Sequence, residues 1–116
     1  METKLATGAR GESLAARTLC DAGLTIVATN YRCDVGELDL VARDGDLLVF
    51  VEVRSRAAGD HGDAAEMVIA SKRRKVARVA AAYLAVEAPA WYVRARFDII
   101  AITDDEIVWI PDAWRT

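Results

Sequence analysis

The sequence predicts an α/β fold, a mixed β-sheet of about five strands with helices packed against it. Two observations predict it. Short apolar, β-branched runs occur both before and after a long stretch of helical period, which suggests strands on either side of a helix. Within the first group, Arg43-Asp44-Gly45-Asp46-Leu47 sets an Asp-Gly pair between two apolar runs, a strong hairpin signal.

The first element is a helix from about Gly8 to Ala22. Leu14, Ala15, Thr18, Leu19 and Ala22 follow a period of about 3.6 residues, and Gly23 is placed to stop it. Leu24 to Thr29 is apolar and β-branched, a first strand, and Asn30 to Val35 turns into the second. Strands two and three form the hairpin around Asp44-Gly45. Arg56 to Asp63, with Gly59, Asp60, His61 and Gly62, is a polar loop. A second helical region runs from about Ala64 to Val86, with a break near Ser71, whose hydroxyl suits an N-cap. After Pro89, Arg94 to Thr103 and Ile107 to Ile110 read as strands joined at Asp104-Asp105-Glu106, and Pro111 ends the last.

With 116 residues, 53% of them hydrophobic, the chain reads as one domain with a single core. No apolar stretch approaches a membrane span, and the polar N-terminus has no signal-peptide core. Cys20 and Cys33 lack metal-ligand spacing and a histidine cluster, so two ordinary reduced thiols in a cytoplasmic protein are expected. A net charge of −3 argues against indiscriminate binding to polyanions. It leaves nucleic acid open, because the distribution of charge matters more than its sum.

Candidate chemistry lies in the hairpin. Gly36-Glu37-Leu38-Asp39-Leu40 and Val49-Phe50-Val51-Glu52-Val53-Arg54 set carboxylates and a guanidinium into runs that otherwise read as buried strands. Charged side chains are seldom found there unless paired or bound to a metal, because desolvating an unpaired ion is costly. If the loop is Gly45-Asp46, Asp39 stands across from Glu52; if it is Asp44-Gly45, Asp39 faces Phe50 and Glu52 is its diagonal neighbour. Both registers put Asp39, Glu52 and Arg54 on one face, whereas a three-residue loop splits them unless a bulge restores the alignment. Opposed Cβ atoms lie about 5 Å apart and diagonal ones about 7–8 Å, so two carboxylates there can share a small hard cation. Without any wider pattern, the three residues suit an ordinary cross-strand ion-pair network.

A wider pattern is present. Asp39 followed by Glu52-Val53-Arg54 resembles the acid…Glu-x-Lys signature of restriction-endonuclease-like nucleases. Nearly the whole chain is spanned by an ordered set of blocks: Gly8-x-x-Gly11-Glu12, Asn30-Tyr31-Arg32, Gly36-Glu37-Leu38-Asp39-Leu40, Phe50-Val51-Glu52-Val53-Arg54-x-Arg56, a basic helix opened by Lys72, and Arg96-Phe97-Asp98. That set resembles the YraN family of small bacterial proteins, related in fold to Holliday-junction resolvases. The resemblance implies a restriction-endonuclease-like core and metal-dependent phosphodiester hydrolysis on DNA, branched or structured DNA above all. It implies Mg²⁺ or Mn²⁺ held by Asp39 and Glu52 with the Val53 carbonyl, and Glu12 bonded to a water of that cation. As a first-turn acid, Glu12 equally suits the helix dipole. Glu37, on the same strand face, is expected to be solvated or to support the site. Arg54 departs from the signature, since a guanidinium stays charged and orients phosphate without acting as a base. The alternative is a catalytically weak or inactive nucleic-acid-binding module serving a larger DNA-processing assembly; a protein-interaction domain binding neither metal nor DNA is a third. Resolvase-like action on a symmetric junction implies two sites, and hence a homodimer.

A second constellation is Ser71-Lys72-Arg73-Arg74-Lys75 with Arg78. Val76, Val79, Ala80 and Tyr83 make a core stripe, leaving Lys75 and Arg78 on an exposed face with Lys72 and Arg74 near it. Cations in a first turn oppose the helix dipole, whereas phosphate is attracted to them, so Lys72, Arg73, Lys75 and Arg78 are expected to bind nucleic acid, with Arg56 and Arg10 extending the track. His61 has no catalytic partner and is expected at the surface. The C-terminal aromatics Trp91, Tyr92, Trp109 and Trp114 are expected mostly to close the core, an exposed one being able to stack on an unpaired base. Asp98 is expected to bond to the basic helix or to an arginine.

Overall fold

The computed structural model describes residues 4–56, 70–103 and 106–115, with side chains from Gly11 onward and not at Arg56. Its elements are α1 (Lys4–Asp21), β1 (Thr25–Cys33), β2 (Gly36–Asp44), β3 (Leu47–Arg56), α2 (Ala70–Glu87), β4 (Arg94–Thr103) and β5 (Glu106–Trp114). Helix α1 begins ahead of Gly8, because Lys4, Leu5 and Ala6 are good helix formers and the interior glycines Gly8 and Gly11 are tolerated. It ends as expected, with Gly23 at φ 96 just beyond. The early start puts Glu12 about two turns into α1 and removes the first-turn reading of that acid.

Strand β1 runs through Asn30, where the sequence suggested a turn. Asn30 takes φ 51, and the ladder continues on both sides of it, with Thr29 paired to Leu40 and Tyr31 to Leu38. The turn falls instead at Asp34-Val35. In the next hairpin Asp44 pairs with Leu47, which makes Gly45-Asp46 the loop, and Gly45 supplies its φ of 64.

The five strands are ordered β1-β2-β3-β4-β5; β3 and β4 are parallel and every other pair is antiparallel. Helix α2 belongs to the β3-to-β4 connection. Ser71 lies inside it and does not cap its start. The expected loop after Arg56, His61 and the helical stretch 64–69 fall outside the described residues. Strand β4 has the expected span, but β5 continues beyond Pro111 to Trp114. As an edge strand it can carry a residue without an N–H, and Asp112 at φ 52 sits where the β4–β5 register shifts.

The α/β expectation is borne out as a sheet between two helices, compatible with a restriction-endonuclease-like core. On one face, Leu48, Phe50 and Ile99 pack against the expected stripe of α2, Val76, Val79, Ala80 and Tyr83. The rings of Phe50, Phe97 and Trp114 stack in series there, with Tyr83 edge-on to Phe50. On the other face, Leu40, Val49, Val51, Ile100 and Ile102 cover Ala15 and Leu19 of α1. Strand β3, third of five, is therefore buried on both faces. Cys20 and Cys33 are free thiols. Among the described residues no helix is long and apolar enough to cross a membrane.

Candidate functional site

The register of the β2–β3 hairpin decides where its charges meet. Leu40 pairs with Val51, so one step further along the ladder sets Asp39 level with Glu52. The pleat is irregular here. Leu38 and Val41 both pack on the α2 side while Leu40 packs on the α1 side, so alternation breaks between Leu38 and Val41, across from Asn30. Asp39 remains half-buried, and its Oδ2 accepts a hydrogen bond from the Val53 N–H at 2.8 Å.

Glu52 is only 3% exposed because it stands on the central strand. Its Oε1 accepts a hydrogen bond from Arg54 Nη2 at 3.0 Å and lies 3.3 Å from Lys72 Nζ. Arg54 shares the strand face, as alternation requires, whereas Lys72 arrives from the first turn of α2. These cations do not offset the cost of the site. Burial first, and then the charge of Asp39, push the Glu52 carboxyl up to about 7 against the pull of Lys72 and Arg54. Burial also raises Asp39, opposed by the Val53 N–H and by Arg54 and Lys72.

Glu12 reaches the same neighbourhood because Gly11 lets α1 sit close on the end of β3; a Cβ at Gly11 would lie 2.7 Å from Ser55 Oγ. Burial raises the Glu12 carboxyl, a hydrogen bond with the Asn30 side chain lowers it, and the charges of Asp39 and Glu37 raise it further. Glu37 is exposed and pairs with Arg32 at 3.0 Å. Among the described residues no group of three or more His, Cys, Asp or Glu is placed to hold a metal ion, so Glu12 stands beside the Asp39–Glu52 pair without completing a three-ligand set. Each acid of the pair uses one oxygen internally. Asp39 Oδ1 and Glu52 Oε2 make no hydrogen bond among the described residues.

The model of the family described as Uncharacterised protein family UPF0102 matches residues 11–102. A UPF0102 protein of Desulfitobacterium hafniense is 39% identical over 116 residues, covering 94% of this chain and 96% of the relative. One from Nocardia farcinica is 48% identical over 99 residues, 85% of this chain and 77% of its own length. One from Pectobacterium carotovorum is 45% identical over 112 residues, 96% and 95% of the two chains. The chain belongs to the UPF0102 family, which is the YraN family. The UPF0102 match includes Glu12, Asp39, Glu52, Arg54 and all of α2, and stops short of Trp114.

In this UPF0102 chain the expected basic track is divided. Lys72 turns to Glu52 and, with Lys75 and Arg32, lines a cavity of about 510 Å³ beside the acid pair. Arg73 and Arg78 line a different cavity, with Arg74 and Trp114. Arg10 and Arg56 have side chains outside the described part. Asp98 is fully buried and satisfied by Arg96 Nε at 2.9 Å and Nη2 at 3.1 Å, Trp109 Nε1 at 2.9 Å and the Asp112 N–H at 2.9 Å, which makes it a clasp between β4 and β5. Sequence reasoning missed Asn30 as the partner of Glu12 and Lys72 as the partner of Glu52. An asparagine inside an apolar strand was the available signal for the first. For the second there was none, because the contact depends on how α2 returns to the sheet.

Proposed function

We propose that this UPF0102 protein is a metal-dependent nuclease acting on DNA, branched or otherwise structured DNA above all, with hydrolysis at Asp39 and Glu52. The supporting observation is the acid pair itself: two carboxylates brought together across one hairpin, both raised by burial, each with an oxygen that makes no hydrogen bond among the described residues. An arrangement selected only for stability would not bury them together. The donor set fits Mg²⁺ or Mn²⁺, which take one or two carboxylates together with waters and phosphate oxygens and do not need a third acid. Asp39 and Glu52 are the residues to hold such a cation, which supplies Lewis-acid polarisation of a phosphoryl oxygen and a more acidic water.

The protein's own groups supply the rest. Arg54 gives one N–H to Glu52, and its Nε is buried without a hydrogen-bond partner among the described residues, so the guanidinium keeps donor capacity for a phosphate oxygen. Lys72 brings to Glu52, from α2, an ammonium group that the Glu-x-Lys signature would carry at position 54. Both cations serve to stabilise charge developing on the phosphate. Glu12 and Asn30 hold the α1 side of the site in position. Cutting a symmetric junction requires two such sites, and therefore two copies of the chain.

A second reading, a nucleic-acid-binding module with weak or no catalysis, is favoured by the ion pairs that close on Glu52. Thermal melts and cleavage assays separate the two. Mn²⁺ or Mg²⁺ is expected to raise the melting temperature of the wild type and not of Asp39→Asn. With metal, the wild type is expected to cut a four-way junction or flapped duplex, and to stop in EDTA or as Glu52→Gln. Binding of the branched forms without cutting means the module; an equal metal response in Asp39→Asn removes the metal site.

A further inference from the structure

Helix α2 has a second charged side that the acid pair does not use. Arg73, Arg74 and Arg78 face a cavity of about 520 Å³, completed by Ala77, Trp114 and Arg115. Its lining is cationic and apolar, and no carboxylate among the described residues lines it. Arg74 and Arg78 form no ion pair among the described residues, and Arg115 pairs only with exposed Asp112, at 3.0 Å. Trp114 is 8% exposed, stacked on Phe97 on one side with the Arg73 guanidinium 5.8 Å from its ring centre. Its Nε1 is buried and has no hydrogen-bond partner among the described residues, a costly state for an indole N–H.

Arg74 and Arg78, one turn apart on the helix, repel one another and oppose its dipole, a cost that an anionic ligand offsets. A small anion would satisfy the rim and leave the apolar floor empty; a hydrophobic peptide would fill the floor and strand the charges. A nucleotide does both, with phosphates for the arginines and a flat base to lie on guanidinium planes, alanine and indole. We propose that this cavity binds one nucleotide of a single-stranded nucleic acid, its base over Ala77 and the edge of Trp114 and its flanking phosphates on Arg74, Arg78 and Arg115. The site lies on the opposite side of α2 from Lys72 and Lys75 and does not require that the chain cut DNA.

The test uses the full chain carrying Glu52→Gln, which keeps any cleavage out of the measurement, and fluorescence anisotropy of labelled oligomers, each variant being first checked for a wild-type melting transition. Oligo(dT), oligo(U) and an abasic oligomer of equal length are compared across salt. The expected result is that oligo(dT) or oligo(U) binds at least several-fold more tightly than the abasic strand. Arg74→Ala with Arg78→Ala should weaken that binding by tenfold or more and flatten the log–log salt slope by about one to two. Ala77→Leu, which favours the helix and fills the floor, should bring oligo(dT) down to the abasic level and leave the salt slope in place. Equal binding of the abasic strand, an unchanged slope in the double variant, or no binding of either oligomer overturns the proposal. So does poly-glutamate competing as well as oligo(dT), which would point to an acidic protein instead. Retained oligo(dT) binding by a wild-type chain that cuts no substrate with metal counts against the nuclease reading alone.

Discussion

At the scale of single residues, Glu52 links stability to the candidate chemistry. Its carboxyl is pushed up to about 7 in the folded chain from the ordinary 4.5. Between those pH values the folded protein holds a proton that the unfolded chain has released, so its contribution to stability falls as pH rises and the full penalty is present above 7. A shift of that size corresponds to something on the order of 3 kcal/mol. Asp39 is raised in the same direction and adds to the trend. Glu52→Gln keeps the shape and removes the charge. It is therefore expected to melt several degrees above the wild type at pH 8 and at about the same temperature near pH 4.5, while losing any response to Mn²⁺. A lower melting temperature at pH 8 would mean that Arg54 and Lys72 fully offset the buried charge.

Between elements, the contact that sets α2 over the site is its approach to the start of β2. Gly36 makes that approach possible. A Cβ there would lie 3.2 Å from Val79 Cγ2 and 3.1 Å from Lys75 Cε, on a backbone at φ 156. Lys75 can swing away, but Val79 is buried in the core and cannot. Gly36→Ala is expected to cost about 1–3 kcal/mol in urea denaturation, from backbone strain and overpacking together. Combined with Val79→Ala, which removes the obstructing methyl, it should cost less than the sum of the single changes. Strict additivity would show that α2 does not press on β2 at this point. The Asp98 clasp plays the corresponding part for β5, since its four donors hold an edge strand across a register shift.

At the scale of the whole molecule, one sheet serves two cores. Leu19 anchors the α1 face and Phe50 the α2 face, and both are essentially inaccessible. Leu19→Ala is expected to cost about 2–5 kcal/mol and Phe50→Ala about 3–5 kcal/mol, large fractions of the roughly 5–15 kcal/mol that holds a typical domain folded. Because β2, β3 and β4 contribute to both faces, either change should lower a single transition that far-ultraviolet circular dichroism and tryptophan fluorescence follow together. Separate transitions by the two probes would mean that the faces unfold independently.

What the sequence by itself determined was set by local period and local chemistry. Alternation placed Glu52 and Arg54 on one strand face, Asp-Gly marked the hairpin, Gly23 stopped α1, and the spacing of Val76, Val79, Ala80 and Tyr83 named the buried stripe of α2. The ordered blocks of residues carried the family. The tertiary structure decided what depends on pairing between distant segments. The hairpin sequence allowed two registers with a two-residue loop as well as a three-residue loop, and the ladder from Leu40–Val51 to Asp44–Leu47 selected the Gly45-Asp46 loop, the register in which Asp39 falls opposite Glu52. Asn30 and Pro111, read as breaks, stay within strands because a left-handed residue or an unpaired edge absorbs them. Lys72, read as part of a surface track, comes within 3.3 Å of Glu52 because the β3-to-β4 connection returns α2 across that face. Residues that share a period are fixed by the chain's local geometry; residues that meet across a crossover are fixed only when the sheet and both helices close their cores together.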